Sequence, residues 1–196
     1  MTTQKKRNST AEWQANDRHH IHPFSDNAEL HKIGSRVIAK AEGTHLWDSD
    51  GHRLLDAFAG LWCVNVGYGR KSIADVAYNQ LLDLPYYNTF FKTTHPPVAE
   101  LSKLLVDMTP TQFNQVFYGQ SGSDANDTIV RMVRTYWNLK KQPTKKTIIS
   151  RVNGYHGSTM IAASLGGMSY MHALADLPLP GFVHIRQPYW YGEGGD

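Results

Sequence analysis

Three observations predict an α/β protein built on a parallel sheet. Strand and helix patterns alternate after Thr111, glycine- and serine-rich turns join strand to helix, and a short antiparallel meander precedes them. Residues 1–9 are polar and read as a frayed end. Residues 10–21 predict a short helix carrying Trp13. From Arg36 to Ala59 the pieces become short and extended. Val37-Ile38-Ala39 and Thr44-His45-Leu46-Trp47 flank Glu42-Gly43, and the turn Asp48-Ser49-Asp50-Gly51 leads into Arg53-Leu54-Leu55-Asp56. Residues 1–59 therefore read as a first part, a helix followed by a meander, and residues 60–196 as a second.

Gly60-Leu61-Trp62-Cys63-Val64-Asn65-Val66-Gly67-Tyr68-Gly69 is too rich in glycine for a helix and too aromatic for an idle linker. Ile73, Val76, Ala77, Leu81 and Leu84 then recur at helical spacing. Val98, Leu101, Leu104, Leu105 and Met108 do the same behind Pro96-Pro97, with Pro110 just past the helix end. Gln115–Tyr118 reads as a strand, and Ala125, Ile129, Met132, Val133, Tyr136 and Trp137 line one face of the next helix. Thr147–Ser150 and Phe182–Ile185 read as two further strands, with a helix-like Ser158–Leu165 between them. Such alternation implies parallel strands covered on both faces.

The 196 residues are 41% hydrophobic, and 20 Lys and Arg against 17 acidic residues give a net charge of +3. Only Lys5-Lys6-Arg7 and Lys140-Lys141 with Lys145-Lys146 cluster, in polar stretches with no interleaved aromatics, so no nucleic-acid partner is expected. The one cysteine, Cys63, allows no intrachain disulfide and no multi-cysteine metal site. The first thirty or so residues lack a secretory apolar core, and no stretch approaches the roughly 20 apolar residues that span a bilayer. A soluble cytoplasmic protein is the expectation. His20 and His22 could chelate a cation from an extended segment beside His19, but no acidic or cysteine partner is evident in the pattern, and no metal is expected.

The chemistry-bearing stretch is Tyr118-Gly119-Gln120-Ser121-Gly122-Ser123-Asp124-Ala125-Asn126. Ser121 and Asp124 have capping-box spacing, so the long helix begins here. A helix start offers unpaired amides and the positive end of the dipole to a phosphate. Gly122 permits close approach, and the flanking hydroxyls can donate. The stretch is neither a Walker loop, which needs Gly-Lys-Ser/Thr, nor a dinucleotide fingerprint, whose glycine spacing differs. One β-α unit on, Arg151-Val152-Asn153-Gly154-Tyr155-His156-Gly157-Ser158-Thr159 presents an aromatic and a histidine at the same sheet edge. Tyr155 there can stack on a flat heteroaromatic ring, and His156 can hydrogen-bond beside it.

Ser121-Gly122-Ser123-Asp124-Ala125-Asn126-Asp127 and Asn153-Gly154-Tyr155-His156-Gly157-Ser158-Thr159 resemble the class III pyridoxal-phosphate aminotransferases. His19-His20-Ile21-His22-Pro23-Phe24, Gly60–Gly69 and Tyr87-Asn88-Thr89-Phe90-Phe91-Lys92-Thr93-Thr94-His95-Pro96 resemble the ω-amino acid–pyruvate branch. The similarity runs from about Trp13 to the last residue. It implies fold-type I and a homodimer binding pyridoxal 5′-phosphate (PLP) at the subunit interface. Residues 1–59 would belong to the small domain and 60–196 to the cofactor-binding large domain. By resemblance, Ser121, Gly122 and Ser123 hold the phosphate, Tyr155 stacks on the pyridine ring, and His156 supports it. Phe24, Trp62, Phe90 and Phe91 would shape the substrate pockets, one admitting pyruvate or alanine and the other the amine or ω-amino acid. Gln120 stands where the family usually has Asn, and Asp124 where it has Glu; both keep the chemical type.

The family's ring-nitrogen aspartate, Schiff-base lysine and carboxylate-binding arginine lie C-terminal of the stacking tyrosine. Here no lysine follows Lys146, and Lys145, Lys146 and Lys92 sit in polar surroundings unsuited to the role. The expectation is an N-terminal part of such an enzyme with no catalytic residue of its own, poorly soluble alone and showing no reducible cofactor adduct. The alternative is an inactive remnant that at most binds phosphate or dimerises.

Overall fold

The structure, a computed structural model, describes residues 8–194. The expected frayed end at residues 1–9 falls, for residues 1–7, outside the described residues. The chain divides into two compact units, Met1–His95 and Pro96–Asp196.

The first unit opens with α1 (Thr10–Asp17), which is shorter than the expected helix. Ser9 and Glu12 form a reciprocal capping box, the Ser9 hydroxyl accepting from the Glu12 amide and the Glu12 carboxylate from the Ser9 amide. Thr10 Oγ1 lies 2.8 Å from Ser49 Oγ and 2.7 Å from Asp50 Oδ1, which ties α1 to the turn of the meander. After α2 (Asn27–Ile33) come β1 (Ile38–Glu42), β2 (His45–Asp48) and β3 (Arg53–Leu55), antiparallel in that order with Ala41 opposite Leu46 and Leu46 opposite Leu54. The β2–β3 turn closes on the buried Asp48, whose carboxylate accepts from the amides of Asp50 (3.1 Å) and His52 (2.9 Å) and meets the His52 ring at 3.0 Å. The short turn α3 (Ala59–Trp62) and helix α4 (Lys71–Asp83) follow.

The second unit holds α5 (Pro96–Met108), α6 (Gly122–Leu139), β4 (Ile148–Arg151), α7 (Met160–Leu165), α8 (Ser169–Ala173), β5 (Phe182–Ile185) and α9 (Trp190–Glu193). β4 and β5 pair in parallel, Ile148 opposite Phe182 through Arg151 opposite Ile185. The buried centre is Val130 of α6, Ala162 and Ala163 of α7, and Phe182 of β5. Small residues on α7 let it lie close to its neighbours, and polar groups lock it there. The Ser150 and His184 side chains meet the Leu165 carbonyl, and His172 Nε2 lies 3.0 Å from the Ala163 carbonyl oxygen. The fully buried Ser164 donates to the Met160 carbonyl and accepts from the Leu179 amide.

Two expectations are corrected. Gln115–Tyr118 is not a strand, because no ladder partner for it exists among the described residues and extended backbone without one is not sheet. Nor is the sheet covered on both faces. α7 packs on the side of Ile148, Ser150, Phe182 and His184, while Ile149, Val183 and Ile185 on the other side are 63%, 48% and 50% exposed. The helices expected after residue 60 do form, but α4 and α5 bury no residue.

Candidate functional site

The loop before α6 and the loop after β4 meet, and their meeting is made of hydrogen bonds. Ser121 caps α6 with extended backbone, its hydroxyl accepting from the Asp124 amide at 3.2 Å. The capping box expected here closes one residue further back. The Asp124 carboxylate accepts from the Gln120 amide at 3.0 Å rather than from Ser121. Gly122 and Ser123 occupy the first turn, whose amides have no partner within the helix. An 18-residue helix brings nearly its full dipole to this end.

Three bonds join the first two turns of α6 to the loop after β4. The Ser158 amide donates to Ser123 Oγ at 3.0 Å, Asn126 Nδ2 to the His156 carbonyl at 2.7 Å, and the Thr159 hydroxyl to Asp127 Oδ1 at 2.7 Å. Thr159 also caps α7, accepting from the Ala162 amide. The residue between them must be glycine. Gly157 is buried at φ +130°, and a Cβ there would lie 2.7 Å from Ala162 Cβ and 2.9 Å from Ser123 Cα. Gly122 differs: a Cβ on it would meet nothing within 4 Å, so the space beside it at the start of α6 is open.

This geometry fits the phosphate of PLP. First-turn amides and the hydroxyls of Ser121 and Ser123 border an open space, and each hydroxyl that accepts a backbone bond still has its proton to donate. The neighbouring carboxylates of Asp124 and Asp127 are both engaged, by the Gln120 amide and the Thr159 hydroxyl. Tyr155, half-exposed, and His156 sit on the loop that these bonds anchor. His156 lines, with Ile149, Ser150, Arg151, Gly154, Leu165 and Ile185, a cavity of about 570 Å³ at the end of β4.

A profile of the class III aminotransferases matches residues 27–193. The chain belongs to the class III aminotransferases. This is a PLP-dependent family, and the chain carries its fold-type I α/β architecture. A putrescine–pyruvate aminotransferase from Pseudomonas aeruginosa is 56% identical over 100% of this chain and 43% of its own length. A γ-aminobutyrate transaminase of Solanum lycopersicum is 39% identical over 86% of this chain and 33% of its own. Among solved structures, an (S)-enantioselective ω-transaminase from Thermomicrobium roseum superposes with a TM-score of 0.91 at 36% identity, over 96% of this chain and 43% of that one. The ω-transaminase of Pseudomonas jessenii, solved in complex with PMP, gives 0.89 at 38% identity over 91% and 40%. The chain thus spans about two fifths of the length of these relatives or less.

Of the residues singled out in the sequence, the structure joins Ser121, Gly122 and Ser123 to the loop of Tyr155 and His156. Phe24, Trp62, Phe90 and Phe91 lie in the first unit and are 67%, 72%, 72% and 91% exposed. The Trp62 ring pairs with Phe58 at 5.3 Å and Phe90 with Phe91 at 6.1 Å. Asn126, Asp127, Ser158 and Thr159 were visible within the motifs, but their roles as bridges were not. Asp17, at the end of α1, was also missed as a neighbour of the histidines: it lies 2.9 Å from His22 Nε2 and 3.6 Å from His20 Nδ1.

Proposed function

We propose that this chain provides the phosphate grip and ring platform of an aminotransferase that moves an amino group from an amine or ω-amino acid to pyruvate. The observation that carries the reading is the triple hydrogen-bonded junction between the first two turns of α6 and the loop of Tyr155. Ser121, Gly122 and Ser123 bind the phosphate through amides and hydroxyls. Tyr155 stacks on the pyridine ring, and His156 flanks it. When bound, PLP supplies an electron sink that lets the amine-bearing carbon give up a proton. The covalent lysine comes from elsewhere than residues 140–146, where Lys145 Nζ lies over the Trp137 ring at 3.7 Å.

Trp62, Phe90, Phe91 and Phe24 are the proposed walls of the substrate pockets, within an assembly of two copies. Two engineered thermostable ω-transaminases support the first two. One replaces a tryptophan by glycine for bulky amines; another, also for bulky amines, replaces an arginine together with a tryptophan and a phenylalanine 28 positions apart, the spacing of Trp62 and Phe90 here. On the same reading, residues 1–59 belong to the small domain and 60–196 to the large one, in a cytoplasmic enzyme. Among the described residues no helix is long and apolar enough to cross a membrane.

The test is transamination by the PLP-loaded enzyme that contains this chain, supplied with putrescine and either pyruvate or 2-oxoglutarate. Alanine formed from pyruvate is the expected product. Transfer to 2-oxoglutarate alone would overturn the pyruvate assignment.

A further inference from the structure

The segment that carries Trp62 has an unusual backbone. Ala59, Gly60, Leu61 and Trp62 have φ of 47°, 59°, 62° and 64°, four consecutive left-handed residues of which three carry a Cβ. In that conformation each Cβ crowds the following carbonyl, so such residues normally occur singly. Something must hold the turn, and the adjacent hydrogen bonds identify it.

The Asp56 carboxylate reaches across the turn. Oδ1 accepts from the Phe58 amide at 3.2 Å, and Oδ2 accepts both from the Gly60 amide at 2.8 Å and from the Tyr68 hydroxyl at 2.8 Å. Both anchors are fixed by the meander. The Asp56 amide donates to the Thr44 carbonyl at 2.9 Å, and Tyr68 exchanges backbone bonds with Gly43 at 2.8 and 3.1 Å. Gly60 has no room for a side chain, since a Cβ would lie 2.8 Å from Val64 Cγ2 and 3.0 Å from the Tyr68 hydroxyl oxygen. The Trp62 amide closes the turn on the Phe58 carbonyl at 2.9 Å, and the indole is left facing solvent. The Tyr68 hydrogen bond is the main cause holding the Asp56 carboxyl below its usual range, against an opposing effect of partial burial. The carboxylate is therefore ionised, and able to accept all three bonds, at any neutral pH.

We propose that Asp56 and Tyr68 are positioning residues that hold the left-handed turn and so set where Trp62 stands, making the pair a determinant of which amine sizes the enzyme accepts. This rests on the reading of Trp62 as a wall of the amine pocket. It adds to that reading a reason why the wall stays in place: an exposed indole on an otherwise unfavourable turn is held from behind by one carboxylate and one phenol.

Trp62→Gly, Asp56→Ala and Tyr68→Phe, singly and in pairs in the PLP-loaded enzyme that contains this chain, test the proposal. The readout is the ratio of kcat/KM for a bulky aryl-alkyl amine to that for putrescine. Trp62→Gly is expected to raise the ratio about tenfold or more, the range that pocket size commands. Tyr68→Phe and Asp56→Ala are expected to move it the same way by about threefold or more, leaving KM for pyruvate unchanged. In the Trp62→Gly background neither has any further effect on the ratio, because the group they place is gone. A second readout needs no turnover: in 5-fluorotryptophan-labelled protein, the fluorine resonance assigned to Trp62 shifts in Tyr68→Phe and Asp56→Ala. If Trp62→Gly moves the ratio and the other two do not, the positioning role is overturned while the wall survives. If Trp62→Gly does nothing, both fall. Equal losses on both amines would make Asp56 and Tyr68 merely structural and overturn the proposal. Should Asp56→Ala fail to fold, Tyr68→Phe, which removes a single hydroxyl, decides alone.

Discussion

The α6 junction and the aromatic segments at 58–62 and 90–91 solve different problems with different means. At the junction, backbone approaches backbone through a buried glycine, and side-chain hydroxyls, an amide and a carboxylate close the gap. In the aromatic segments the rings face outward on turns of positive φ, with Trp62 at 64° and Phe91 at 56°. On the proposed reading, a phosphate is the same in every turnover, so its donors gain by being fixed in advance. On that reading too, amine donors vary in size, and selection falls to side chains that can be exchanged without disturbing the fold. The proposed grip and the proposed walls are thus built from different kinds of local structure, a hydrogen-bonded junction and exposed rings on left-handed turns.

Substitutions can break that contrast from either side. The largest effect is expected at Gly157. Gly157→Ala forces a side chain between Ala162 and Ser123 at φ +130°, and should lower stability by roughly 3 kcal/mol in urea unfolding of the chain. Gly122→Ala is the control on the same junction. It should leave unfolding within about 0.5 kcal/mol while weakening PLP binding, because its Cβ enters only the open space beside the proposed phosphate grip. Next is Thr159→Ala, which removes both the cap of α7 and the bond to Asp127. A loss of about 1–2 kcal/mol in the same experiment is expected. If Asp127→Ala adds its full effect to that of Thr159→Ala, the bridge is not an energetic link.

A smaller effect concerns pH and the meander. Partial burial pushes the Asp48 carboxyl upward, but bonds from the His52 amide and ring and the Asp50 amide outweigh it and hold the carboxyl below its usual range. Its contribution is therefore complete above the ordinary carboxylate pKa of about 4 and is lost as pH falls through the lower folded value. Amide exchange at Asp50 and His52 should quicken in that acid range, and Asp48→Asn should abolish the dependence. The smallest effect belongs to Phe91→Ser. With the ring 91% exposed, unfolding should change by no more than about 0.5 kcal/mol, whatever happens to amine preference.

Much of this was legible in the sequence because local chemistry dictated it. Pro96 opens α5, Ser121 caps α6, and Asp48-Ser49-Asp50-Gly51 turns the meander, each through interactions within a few residues. What escaped depended on distant partners. Val116 and its neighbours have the composition of a strand, yet a strand exists only when another pairs with it. The hydrophobic runs of β4 and β5 suit burial on two faces, and one face is open. At the site, Ser-Gly-Ser and the Tyr-His loop could be read as neighbours on a sheet edge. That Asn126, Asp127 and Ser123 stitch them together could not, since the spacing from 123 to 158 carries no periodic signal. The left-handed run at 59–62 was equally hidden, because three of its residues do not favour that conformation.

The proposed grip of the first turn of α6 on a phosphate is open to experiment. Titration of the chain with PLP and with pyridoxal, which lacks the phosphate, tests it most directly. PLP is expected to bind at least about tenfold more tightly, a difference reduced in Ser121→Ala/Ser123→Ala, where two charge-assisted hydrogen bonds are lost and the first-turn amides remain. Equal affinity for PLP and pyridoxal in the unmodified chain would contradict it.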